Sequence, residues 1–232
     1  MQNIKETYDN FYKGNNDYSR KYKQDTVFFR SLFKKLGIND NQSILEIGCG
    51  SGYYLKIFKD LGLQHITGTD FSDQAVNWAQ RNTEGMQIQI KHMDTFNLTF
   101  PVNTFDIVIA IGHSPLNTDK YEDIVNLLKK ISLIIKPGGY FIFIYSTNYS
   151  KKWHQGQVEV IYNHSRERML ESFNCSNVFS GIEAFSYIRP LTQLTQWCLF
   201  SSFYTKFVEI LTKSLPASLV NGKLVVIGKK TS

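Results

Sequence analysis

The sequence predicts an α/β fold, a mostly parallel sheet with helices on both faces, and three observations carry that expectation. Ile44, Leu45 and Ile47 form a short apolar run without helical period, bounded by turn residues, as in a strand buried on both faces. The run breaks into Gly48, Gly50 and Gly52, and a helix-like segment, 55–61, follows at once. Strand-then-helix units recur downstream, which is the signature of a parallel sheet. At 232 residues the chain suits one domain with an ample core.

Bulk properties narrow the class. Net charge is +6, but most of it is lysine spread over several segments, and arginine, the better planar reader of phosphate, is scarce. A solvated basic surface is the reading, and nucleic acid is not the expected partner. No stretch has the apolar length of a membrane span. The N-terminus is polar and lacks the apolar region of a leader peptide. Cys49, Cys175 and Cys198 are few, odd in number and not spaced for metal, which points to a reducing cytoplasm and to no metal site. There is no internal repeat.

Residues 1–37 read as helical, with Tyr8, Phe11, Tyr12, Tyr18, Tyr22, Phe28, Phe29, Leu32 and Phe33 crowding one side. Packing of an amphipathic helix against the domain accounts for them. Residues 37–43 are a turn-rich entry to the first strand. Three alternating glycines remove every Cβ from one side of the turn after it, so backbone N–H groups can approach a ligand. The helix start adds unpaired donors. A dinucleotide site wants G-x-G-x-x-G; here Tyr53 occupies the third glycine's place and Gly52 falls one residue early.

The second strand, 65–70, ends in Asp70, where a carboxylate can accept from ribose hydroxyls. Ser72 and Asp73 cap a helix running to about Thr83. Met86, Ile88, Ile90 and His92 alternate with polar residues as a third strand that closes in Met93-Asp94-Thr95. Residues 105–112 are an almost wholly apolar fourth strand. Tyr121–Ile135 carries one apolar stripe and ends at Lys136-Pro137-Gly138-Gly139, before a fifth strand over 140–145. Beyond 148 a short helix (165–173), a sixth strand (178–188) and a seventh (224–228) are expected. The long stretch of about 190–221 between the last two reads as helices with an aromatic stripe. It suits a substrate cover, a dimer contact, a membrane-surface contact or a buried helix pair.

Glu46-x-Gly48-x-Gly50-x-Gly52, Gly68-Thr69-Asp70-Phe71-Ser72, the Phe105-Asp106 strand start and the Lys-Pro-Gly-Gly turn together resemble the class I S-adenosylmethionine-dependent methyltransferases over about 42–147. The resemblance implies a Rossmann-like doubly wound seven-stranded sheet of order 3-2-1-4-5-7-6 with the last strand antiparallel. It implies an N-terminal helical lid (1–37), a cofactor-binding core (42–148) and a C-terminal part (149–232) with a helical insertion. The implied cofactor is S-adenosyl-L-methionine, leaving S-adenosyl-L-homocysteine. Its implied contacts are Glu46, Gly48, Cys49, Gly50 and Gly52 at the turn and Asp70 on the ribose. Phe71, Ser72, Met93, Asp94 and Thr95 would surround the adenine, Ile111 and Gly112 the reacting end, and Tyr12 the methionine end. Cys49 fits as the small side chain the turn requires.

His113, next after the fourth strand, is either a general base or a residue lining the pocket through its backbone. The Asn/Asp-Pro-Pro-aromatic string of base-amino methyltransferases is absent from 112–117. Tyr18, Trp153, His154 and Trp197 are candidate substrate contacts. These features imply a cytoplasmic transferase, monomer or homodimer, methylating O, N or C of a small organic molecule. The alternatives are an RNA or protein methyltransferase and a non-catalytic S-adenosylmethionine-binding partner protein.

Overall fold

The computed structural model describes residues 19–112, 114–146, 164–188, 191–195, 197–214 and 222–231. Helix α1 (Ser19–Leu36) leads into β1 (Ser43–Ile47), α2 (Tyr53–Asp60), β2 (His65–Asp70), α3 (Asp73–Asn82), β3 (Gln89–His92) and β4 (Phe105–Ile111). Then come α4 (Tyr121–Ile134), β5 (Ile135–Ser146), α5 (Arg166–Ser176), β6 (Phe179–Ile188), α6 (Thr192–Thr195), α7 (Ser202–Ser214) and β7 (Gly222–Lys230). The seven strands form one sheet, β3-β2-β1-β4-β5-β7-β6. The first five are parallel, and β7 runs antiparallel between β5 and β6. The order expected from the sequence is the order found.

Two apolar clusters cover the two sheet faces. Ile44 joins Phe28, Phe29, Leu55, Phe58, Tyr187, Tyr204 and Val208 on one side. Leu45 and Ile47 join the α4 stripe, Phe141, Phe143 and Phe173 on the other. That split is the alternation of β1 itself. The continuous apolar runs of β1 and β4 are thus explained, since both strands are central and covered twice.

Helix α1 is a core element. Phe28 and Leu32 are fully buried, and Phe28 stacks on Tyr187 of β6 at 4.0 Å between ring centroids. Tyr22 donates to Asp60 at 2.6 Å and Tyr53 to Asp25 at 3.0 Å, tying α1 to α2 and its start. Over 19–36 the helix packs against the domain. Tyr12 and Tyr18 lie outside the described residues.

Several boundaries differ from the sequence reading for local reasons. Strand β3 begins only at Gln89, because Gln87 has φ 56° and cannot extend the ladder. Helix α4 passes straight into β5 at Ile135, and Lys136-Pro137-Gly138-Gly139 is an irregularity inside that strand. Asp106 fixes it there. Its Oδ2 accepts from Lys136 Nζ at 2.7 Å and from the Ser43 amide and hydroxyl at 2.8 and 2.7 Å. Burial alone would raise the Asp106 carboxyl, but these donors outweigh it and hold it low. A Cβ on Gly139 would lie 2.5 Å from the Asp106 carbonyl, so only glycine passes there.

Candidate active site

Because β1, β2, β3 and β4 are parallel, their carboxyl ends fall on one edge of the sheet. Ligands of open α/β sheets sit beyond that edge, where the strand order reverses. Here the reversal lies between β1 and β4. Register brings Ile47 level with Thr69 and Ala110, and Asp70 level with His92. Glu46, the glycine turn, Asp70, Met93-Asp94 and Ile111-Gly112 therefore gather at one place. Gly112 is exposed, with φ 62°, and its amide donates to the Ile144 carbonyl at 2.7 Å.

Gly48, Gly50 and Gly52 all have positive φ, 70°, 54° and 77°. Left-handed backbone at three alternate positions is what the spacing of the glycines serves. The expectation that their amides face a ligand is corrected by the hydrogen bonds. The Gly48 and Cys49 amides both donate to the Thr69 carbonyl, at 2.8 and 2.9 Å. Gly50 N donates to Asp70 Oδ2 at 2.9 Å, and Gly52 N to the Cys49 carbonyl at 2.9 Å. The turn is thus built on β2, with residues 49–52 buried. Gly52 has a further reason to lack a side chain, since a Cβ would meet the Ala79 backbone of α3 at 3.2 Å.

The electrostatics of the place are acidic. Glu46 is 1% exposed, and its Oε2 has no hydrogen-bond partner among the described residues. Burial, and then the neighbouring charge of Asp70, push its carboxyl well above the usual range. Asp70, 6% exposed, accepts from Gly50 N through Oδ2 and from Ser72 N through Oδ1, at 2.9 and 3.0 Å. Burial raises it despite those two donors. A carboxylate has about four acceptor positions, so Asp70 keeps capacity for further hydroxyl donors. The Cys49 side chain turns into the core, and burial followed by both carboxylates drives its thiol upward, leaving no reactive thiolate.

The remaining candidates fall around this centre with mixed commitments. Ser72 is fully buried, and its hydroxyl caps α3 by accepting from Ala75 N at 3.2 Å. The Phe71 ring is half-buried, and its carbonyl meets His92 Nε2 at 2.8 Å. The Met93 amide donates to the Asp70 carbonyl at 2.8 Å, and Asp94 is exposed and accepts from Phe96 N at 2.9 Å. Thr95 is buried. Trp197 sits 85% exposed in the turn between α6 and α7, and α7 packs on β6. His113, Trp153 and His154 lie outside the described residues.

Three further buried polar groups are found, of which Asp25 escaped the sequence reading. Asp25, 1% exposed, reaches Tyr53 directly behind the glycines; an acid on the apolar side of a helix was the available signal. Asn117 is 8% exposed with Oδ1 lacking a partner among the described residues. His164, also 8% exposed, has a ring Nε2 without a partner among the described residues, and burial, then the Arg168 charge, keep it below the ordinary histidine value.

The donor set can be tested against the two cofactors the turn might hold. A dinucleotide pyrophosphate needs free amides and tolerates no orphaned acid. Here the amides of Gly48, Cys49, Gly50 and Gly52 are engaged, and two buried carboxyls stand beside them. A nucleoside bearing a sulfonium, an ammonium and ribose hydroxyls fits that set.

Residues 44–139 match the family model described as a methyltransferase domain. Over those residues, and in its sheet order, the chain resembles the class I S-adenosylmethionine-dependent methyltransferases. Among curated relatives it is similar to the demethylmenaquinone methyltransferase of Staphylococcus saprophyticus, 30% identical over 145 residues covering 61% of this chain and 58% of that protein. The chain therefore spans little more than half the length of the curated relatives it matches. Among solved structures it resembles one from a complex between the Haloferax volcanii Trm112 methyltransferase activator and a methyltransferase, at TM-score 0.67 and 18% identity over 99% of this chain and 98% of that one. It also resembles Haemonchus contortus phosphoethanolamine N-methyltransferase 2 in complex with S-adenosyl-L-methionine, at TM-score 0.61 and 17% identity, covering 97% of this chain and 56% of that one. At such identities these two likenesses concern the fold.

Proposed function

We propose that the chain transfers a methyl group from S-adenosylmethionine to an oxygen, nitrogen or carbon of a small organic molecule of apolar or ring character. The observation that carries this reading is the orphaned, buried Glu46 carboxyl beside Asp70, at a turn whose glycine amides are already engaged. Bound there, the cofactor supplies an electrophilic methyl on a positive sulfur. Glu46 provides a negative partner for that positive charge, and Asp70 accepts from the ribose hydroxyls. Phe71, Met93 and Asp94 flank the base, and Ile111 and Gly112 bound the reacting end. Methyl transfer depends above all on in-line approach, so holding both reactants supplies much of the acceleration. His113 serves as the base where the acceptor must lose a proton. The name of the demethylmenaquinone relative supports an apolar, ring-bearing acceptor, and so does the aromatic content of 14%.

Calorimetry with S-adenosylhomocysteine and, separately, NAD tests the cofactor. Binding of the first and not the second is expected; the reverse would overturn the reading. Asp70→Asn is the informative variant, because Asp70→Ala also strips the Gly50 and Ser72 amides of their acceptor. Affinity should fall by about 1–3 kcal/mol for each hydroxyl bond lost, with the melting temperature recorded beside it. Acceptor class follows from turnover across a panel of quinols, phenols and amines.

A further inference from the structure

Helix α7 carries two apolar stripes about a third of a turn apart. Tyr204 and Val208 are buried, with Leu211 half-buried, on the side packed against β6 and β7. Phe203, Phe207 and Ile210, spaced three and four apart on the outer side, are 80%, 43% and 63% exposed. Leu194 on α6 and Trp197 in the turn that follows are 74% and 85% exposed. Five of the eight large apolar side chains left exposed among the described residues thus fall between 194 and 210. A helix with a second apolar stripe calls for a second apolar phase on that side.

Charge selects which phase. Lys206 stands exposed at the margin of the outer stripe. The one acid of α7, Glu209, leans toward Arg166 at 3.9 Å. The whole chain carries +6. A second copy docked about a two-fold axis would bring like charges together along this stripe, whereas phosphate headgroups would pair with them. Tryptophan and phenylalanine beside lysine is the composition of helices that lie in the headgroup boundary. No helix among the described residues is long and apolar enough to cross a membrane, so the contact is made in the plane of the surface. We propose that the outer stripe of α7, with Leu194 and Trp197, docks on an anionic lipid bilayer. Docking requires neither cofactor nor methyl transfer and stands or falls separately from the function proposed above.

Co-sedimentation of the full chain with phosphatidylcholine vesicles, with and without phosphatidylglycerol, tests it. Partitioning should be stronger on the anionic vesicles and weaken as salt is raised. The double variant Phe203→Ser/Ile210→Ser should lose at least about tenfold in partition coefficient, with its melting temperature and S-adenosylhomocysteine affinity unchanged because both side chains are exposed. Lys206→Glu should lower binding to anionic vesicles and leave the neutral ones nearly unaffected. Absence of vesicle binding overturns the proposal, as does equal binding by the double variant. A concentration-dependent dimer on gel filtration that the same double variant dissociates would assign the stripe to a second copy instead and also overturn it.

Discussion

Glu46 occupies a central strand, its side chain on the face that carries Ile44, and its partner in register on β2 is Gly68, which has no side chain to shield it. A carboxyl raised by burial favours the protonated state of the folded protein. Its contribution to stability is therefore complete below the unfolded glutamate value of about 4.3 and is lost as pH rises through the folded value. The melting temperature of the free protein should decline on that alkaline side, and Glu46→Gln should flatten the decline and melt higher at its upper end. A positive ligand beside Glu46 favours ionisation, so S-adenosylmethionine binding should release protons. Calorimetry in two buffers of different ionisation enthalpy measures this, and in Glu46→Gln the release should disappear. Equal proton release by the variant would mean that Glu46 does not meet the cofactor's charge. From the sequence alone the acid before the glycines was visible, but its solitude was not, because isolation depends on what the other strands leave open around it.

Elements were legible where a period or a punctuating residue fixed them. The β1–glycine–α2 unit, the Ser72 cap and the α4 stripe emerged nearly as drawn, since each is decided by residues a few positions apart. The Lys-Pro-Gly-Gly segment did not, because its shape is set from a distance by Asp106 on β4, thirty residues earlier. The same holds for Gly68, visible as part of a string and unexplained by it. A Cβ there would come within 2.5 Å of Leu55 Cδ1 and 2.9 Å of Cys49 Sγ. Gly68→Ala should therefore push α2 and the glycine turn off β2, at a cost of roughly 1–3 kcal/mol from overpacking. Denaturant melts read the loss, and weaker S-adenosylhomocysteine binding should accompany it. A variant as stable as the parent would show that the interface has slack. The two stripes of α7 were likewise present in the sequence as one crowded set of aromatics; only the packing of Tyr204 and Val208 separates inner from outer.

For the molecule as a whole, the first cluster draws residues from Phe28 to Ile227 into one core face. Helix α1 closes that face across α2 and β6 together, which no window of sequence could reveal. Phe28→Ala removes a fully buried ring stacked on Tyr187 and should cost about 3–5 kcal/mol. Since the face is continuous, the loss should appear in a single unfolding transition shared by fluorescence and circular dichroism. Separate transitions for the two probes would mean that α1 melts by itself.

The place of β7 carries a consequence for synthesis. Among the described residues strand β6 pairs only with β7, which separates it from β5. A nascent chain that has already made β6 can thus hold it only through helices, with both ladder edges bare, until β7 leaves the ribosome and slides between. Through that interval Phe28 awaits Tyr187 as well, a pairing across more than half the chain. Long-range closure of this kind folds slowly and leaves greasy edges open to capture, so yield in cells should respond to chaperone supply more than equilibrium stability would suggest.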